Sequence, residues 1–140
     1  MLKDWNKVEQ PTAEEVDKRL ANAKNSLLQQ QIAMKEKKLP VIVLLEGWGA
    51  AGKGSVLGKL IKNIDPRFFK VAVMDEPTEE EKRKPFLYRH FVKIPEAGKF
   101  VFMDSGWMSE VTSQKLSGEL SEEEYKKRIE SIKRFERQLT

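Results

Sequence analysis

An α/β fold on a small parallel sheet is predicted by three observations. Short apolar runs at about residues 40–46, 69–75 and 99–104 alternate with segments of helical periodicity. The first run, Leu39 to Leu45, shows no polar alternation, the pattern of a strand buried on both faces and covered by helices. That run feeds directly into Gly47-Trp-Gly-Ala-Ala-Gly-Lys-Gly54, a glycine-rich turn at the head of the next helix.

The elements follow in order. Pro11 and Thr12 open a first helix, and Glu15 completes a Thr-x-x-Glu capping box. Val16, Leu20, Ala23 and Leu27 recur at helical spacing, and Lys35 to Lys38 with Pro40 end the pattern. After the glycine turn, Val56, Leu57, Leu60 and Ile61 mark a second helix, and Ile64 to Arg67 a turn. Phe68 to Met74 reads as the second strand, and Thr78 with Glu81 as another capping box. Pro85 interrupts the chain before Phe86 to Val92, and Ile94 to Gly98 is a loop. Lys99 to Asp104 is the third strand, ending on a carboxylate, and a short helix lies within Gly106 to Leu116. Ser121 and Glu124 cap a last helix that carries Tyr125, Ile129, Ile132, Phe135 and Leu139 on one face.

The totals narrow the function classes. A chain of 140 residues suits one domain, residues 1–140, and the absence of cysteine excludes a disulfide framework, zinc fingers and thiol catalysis. No apolar run approaches the roughly 20 residues of a membrane span, and residues 1 to 20 are too charged for a signal peptide, so a cytoplasmic location is expected. Net charge is +4, which favours anionic partners only slightly. Basic residues lie scattered among acidic ones without a recognition motif, so no nucleic-acid partner is expected. His90 has no acidic or histidine neighbour at ligand spacing and reads as a packed or surface side chain.

The glycine turn carries the chemistry. Backbone N–H groups converge on phosphate oxygens only where side chains leave room, the service of Gly47, Gly49, Gly52 and Gly54, and Lys53 adds a mobile cation. Ala50, Ala51 and Ser55 complete the candidate phosphate-binding set. Asp104, at the end of an apolar strand, is the candidate Mg²⁺ carboxylate and, with Lys53, the candidate catalytic pair. Ordinary readings stand beside these: a glycine turn that binds nothing, and a polar residue where a strand leaves the core. Gly54 stands where the general phosphate-loop pattern has Ser or Thr.

Taken together, the chain resembles the polyphosphate kinase 2 family over roughly residues 12 to 140. The resemblance rests on Glu46 to Gly54, Asp65-Pro-Arg67, Pro77 to Glu81, Tyr88-Arg89, and Ile94 to Gly98. Phe102-Met-Asp104 with Trp107, Ser121 to Tyr125, and Phe135-Glu-Arg137 extend it. It implies a thymidylate-kinase-like phosphate-loop fold, here a three-layer sandwich reduced to about three parallel strands, and phosphoryl transfer between inorganic polyphosphate and a nucleotide with Mg²⁺. The family's strand order places the first strand at an edge with the third beside it, and that open edge invites pairing with another chain. In that family Gly54 is the ordinary residue after the lysine. Arg67, Lys82, Arg83, Lys84 and Arg89 become candidate polyphosphate contacts, with a solvated charged surface as the alternative. Two departures matter. Gly49 stands where the family usually has aspartate, and Ser105 where it usually has arginine after the strand-end aspartate. The family also continues into a further strand and an arginine-bearing lid that this sequence does not show. A degenerate phosphotransferase domain, weak or inactive alone, is therefore the leading expectation, with self-association or docking to a second homologous domain. A non-catalytic module and an ATP-dependent nucleoside monophosphate kinase are the alternatives.

Overall fold

The structure, a computed structural model, describes residues 11–140. Helix α1 (Ala13–Glu36) begins at Thr12, whose hydroxyl accepts from the Glu15 amide while the Glu15 carboxylate accepts from the Thr12 amide. Strand β1 (Val41–Leu45) leads through the glycine turn into α2 (Lys53–Ile61). A single 3₁₀ turn (Pro66–Phe68) precedes β2 (Phe69–Val73), followed by the short helices α3 (Glu79–Lys82) and α4 (Tyr88–Phe91). Strand β3 (Phe100–Asp104), α5 (Trp107–Leu116) and α6 (Glu122–Leu139) complete the described chain. The boxes at Thr78 and Ser121 form as the sequence predicts. Among the described residues no helix is long and apolar enough to cross a membrane.

The sheet is parallel throughout, in the order β1-β3-β2. Helices cover both faces. Val101 and Met103 of β3 meet Trp107 and Val111 of α5 and Ile132 and Phe135 of α6, with Ile42 and Leu44 of β1 packed alongside. Phe100 and Phe102 point the other way, against Met34 of α1 and Leu57 of α2, joined by Val41 and Val43. The predicted stripe of α6 lies wholly in the first of these cores.

Two expectations are corrected. Strand β1 is half-buried at all five positions, because as an edge strand it has a neighbour on one side only; β3 is the strand enclosed on both faces. The apolar stripe of α1 does not reach the core along its length. Val16, Leu20 and Ala23 are exposed, Leu27 is half-buried against the second core, and only Gln31 and Met34 are buried, because the helix meets the sheet through its last turns.

The 3₁₀ turn is held by Asp65, whose carboxylate accepts from the Arg67 amide and from both Nε and Nη2 of the Arg67 guanidinium. These bonds hold the Asp65 carboxyl down at about 2, against an ordinary 3.8. A depressed carboxyl stabilises the fold above its unfolded value and loses that contribution as the pH falls through its folded value. Carboxyl NMR titration should therefore place Asp65 near 2. Arg67→Ala should return it towards 3.8, and the acid branch of the stability curve between those values should flatten. Packing is tested separately. Ile132 is only 2% exposed, and Ile132→Ala should cost about 2–5 kcal/mol in urea unfolding. Leu28, at 42% exposed, should cost less than about 1 kcal/mol when changed to Ala.

Candidate functional site

Parallel strands deliver their C-terminal ends to one side of the sheet, the side on which open α/β proteins place ligands. Registers Leu45↔Asp104 and Val73↔Asp104 bring together the glycine turn after β1, the segment after β2 and the start of α5. Between them lies an open cavity of about 950 Å³.

The turn is shaped by its own backbone. The Ala51 amide donates to the Trp48 carbonyl, closing the loop at 3.0 Å. Gly52 then enters α2 with φ +81, a left-handed conformation that favours glycine. The Lys53 ammonium folds back across the loop and donates to the carbonyls of Gly47 (3.0 Å) and Trp48 (3.3 Å). An added Cβ at Gly49, Gly52 or Gly54 would meet only open space. The first amides of α2 have no side-chain cap, so the helix start is available to an anion.

The cavity wall gathers some predicted residues and leaves others out. Gly47, Gly49, Lys53, Lys82 and Arg89 line it. Ala50, Ala51, Gly52, Gly54 and Ser55 do not line the cavity, and neither does Asp104, half-buried at the end of β3. Arg67, Arg83 and Lys84 lie elsewhere. Arg67 is committed to Asp65, and Lys84 to Glu80 at 2.7 Å with its ammonium 4.3 Å from the Tyr88 ring centre. Lys82 is itself paired with Glu79.

Arg89 departs most from a solvated surface. It is 6% exposed, donates through Nη2 to the Asp75 carbonyl, and holds Nη1 3.8 Å from Glu110; its Nε has no partner among the described residues. His90, 0% exposed, places Nε2 3.2 Å from the same Glu110 carboxylate and stands edge-on to Trp107. The acidic neighbour that sequence spacing lacked comes from α5, 20 residues downstream.

Glu46 is the site residue whose role sequence reasoning missed. Helix α5 starts at Gly106, which has no side chain to cap it. The Glu46 carboxylate, at the end of β1, accepts from the Ser109 amide at 3.1 Å and from the Ser109 hydroxyl. It caps α5 from another element. A glycine at the helix cap followed by no side-chain capping bond is the signal that such an outside acceptor is needed. Ser105, just before, has φ +68, a conformation costing a non-glycine residue about 1–2 kcal/mol, and its amide continues the ladder to the Leu45 carbonyl.

Electrostatically the wall is mixed. Lys53, Lys82 and Arg89 face the cavity together with Glu46, Asp75, Glu76, Glu110 and Glu119. Carboxylates thus outnumber cations, and no three of the acidic or histidine groups among the described residues sit close enough to hold a metal by themselves.

A crossed-over parallel sheet with a glycine-lysine turn at a helix start defines a phosphate-loop protein of the kinase type. Residues 10–140 match the family model described as polyphosphate kinase 2 (PPK2), and the chain belongs to that family. It is 34% identical over 104 residues to a polyphosphate:AMP phosphotransferase of Pseudomonas syringae pv. tomato, covering 74% of this chain and 21% of that one. It is 30% identical over 119 residues to ADP-polyphosphate phosphotransferase 3 of Rhizobium meliloti, covering 85% of this chain and 42% of the relative. The crystal structure of polyphosphate kinase 2 from Arthrobacter aurescens TC1 superposes with a TM-score of 0.86 at 25% identity, over 93% of this chain and 48% of that one. The chain thus spans less than half the length of these relatives. The fold is the P-loop kinase fold of the family.

The Glu46 contact gives a direct test. A Cβ at Gly106 would stand 2.5 Å from Glu46 Oε1 and 3.1 Å from Leu44 Cδ2. Gly106→Ala should therefore destabilise the protein by about 1–3 kcal/mol, and Glu46→Ala by about 1 kcal/mol. The double variant should lose less than the sum, because removing the carboxylate relieves the nearer clash. Urea unfolding of the three variants reads this coupling.

Proposed function

We propose that the chain is the phosphate-binding portion of a polyphosphate-dependent nucleotide phosphotransferase, a single domain over residues 1–140, and that it transfers phosphoryl groups weakly or not at all by itself. The observation that carries this reading is that Gly47, Gly49 and Lys53 of the glycine turn open on the same cavity as the buried Arg89. Lys53 and the first amides of α2 hold phosphate, and Arg89 supplies a fixed second cation across the cavity. The relatives' names support the substrate pair: a polyphosphate chain on one side and AMP or ADP on the other. In such a transfer an acceptor phosphate oxygen attacks the terminal phosphorus of the chain. The bridging P–O bond breaks, and the shortened polyphosphate keeps the electron pair.

Mg²⁺ fits this wall as an ion that arrives with phosphate. It is usually held by one or two carboxylates, substrate phosphates and water, and the acidic lining offers the carboxylates. Asp104 is the strand-end candidate, and the ion would neutralise charge on the transferred group. Weak turnover follows from Gly49 and Ser105, which stand where the loop carboxylate and a phosphate-directed cation would be. Losing one such cation can cost on the order of a thousandfold in rate. The excess of carboxylates over cations on the wall weakens phosphate binding further.

A second reading is favoured by one feature. The exposed apolar residues Val16, Leu20, Leu28 and Ile32 of α1 and the open edge of β1 suit docking against a second domain or protomer. In that reading the loop is a relic. A cytoplasmic location is part of both readings.

Calorimetry with tripolyphosphate separates them. Binding should be detectable, should weaken as salt rises, and should vanish in Lys53→Ala but survive in Lys35→Ala. A chain that binds no phosphate is a docking module. Incubated with polyphosphate, Mg²⁺ and AMP or ADP, the chain should form little ADP or ATP. Turnover near about one per second, abolished by Lys53→Ala, would overturn the inactive part of the proposal.

A further inference from the structure

Trp48 is the most exposed large apolar side chain among the described residues, at 74%, and it lies on the wall of the phosphate cavity. The contrast with Trp107 is informative. Trp107 is buried, donates its indole N–H to Glu136 at 2.9 Å and packs edge-on against Phe135 and His90. The Trp48 ring has no aromatic or cationic partner among the described residues. An indole left in water at a ligand site is binding surface awaiting a flat apolar partner.

The backbone locates that partner. The Trp48 carbonyl is 3.3 Å from the Lys53 ammonium, so the indole springs from the loop that holds phosphate. Inorganic polyphosphate has only charged oxygens and gives an indole nothing to bury. A nucleotide offers both chemistries in one molecule, an anion for the loop and, one ribose away, a planar base. Met74, Pro77 and Met108 supply further apolar surface on the same wall.

We propose that Trp48 is the stacking platform for the base of a nucleotide whose phosphate sits on the Gly52-Lys53 turn, a proposal that rests on the phosphate-binding reading above. Stacking uses the face of the ring, which every base has. The residue therefore discriminates nucleotides from inorganic phosphates rather than one base from another.

Calorimetry with three probes tests it: AMP, ribose 5-phosphate and tripolyphosphate. The wild-type chain should bind AMP about tenfold tighter than ribose 5-phosphate, and Trp48→Ala should remove that difference by weakening AMP alone. Trp48→Phe should retain most of it. The fluorescence difference between wild type and Trp48→Phe should be quenched by AMP and unaffected by tripolyphosphate. Because Trp48 touches no core residue, these variants should fold, which circular dichroism verifies. Equal affinity of the wild type for AMP and ribose 5-phosphate overturns the stacking role and leaves phosphate binding intact. So does a Trp48→Ala variant that loses tripolyphosphate as much as AMP. A chain that binds none of the three overturns the phosphate site and the stacking platform together.

Discussion

Everything in this molecule hangs on β3 being paired on both edges and covered on both faces. Its residues Phe100, Val101, Phe102 and Met103 alternate between the two cores, so one strand joins α5 and α6 on one side to α1 and α2 on the other. The registers Leu45↔Asp104 and Val73↔Asp104 align the ends of all three strands. The glycine turn, the segment after β2 and the start of α5 meet at one rim for that reason. A slip of one residue in β3 would reverse its faces and scatter the site.

The rim is tied together by polar contacts between elements that lie far apart in sequence. Glu46 carries the end of β1 to the head of α5, and Glu110 on α5 reaches back to Arg89 and His90 on α4. Arg89 is thereby a rigid cation. Lys53, in contrast, is a flexible one whose ammonium rests on the carbonyls of its own loop. A phosphate entering the cavity would meet one cation already placed and one that must exchange backbone partners. The carboxylates around them set the electrostatic limit on how strongly an unaccompanied anion is held.

The Gly49 and Ser105 positions sit on this frame without disturbing it. Gly49 faces open space, and Ser105 keeps the ladder bond to Leu45 even in its left-handed conformation. Fold and charge are thus separable: the backbone keeps its form with neutral residues at both positions. On the function proposed above, that is how phosphate would bind without efficient turnover.

Local signals settled much of the fold before any coordinate. The capping boxes at Thr12, Thr78 and Ser121, the glycine turn, the three strands and the apolar face of α6 are all written in spacings of a few residues. Even the strand order followed, through the family pattern carried by the motifs. Burial did not. The unbroken apolar run of β1 looked like a central strand, and the stripe of α1 like a core face, because hydropathy records what a residue prefers and not which neighbour covers it. In the site, the turn and Lys53 were legible, since loop and helix start are adjacent in the chain. The selection of Arg89 over Arg67, Arg83 and Lys84 on the cavity wall was not, nor was the use of Glu46 as a cap for α5. Those depend on which segments the parallel sheet brings within hydrogen-bond range, across separations as large as 63 residues, and only packing decides that.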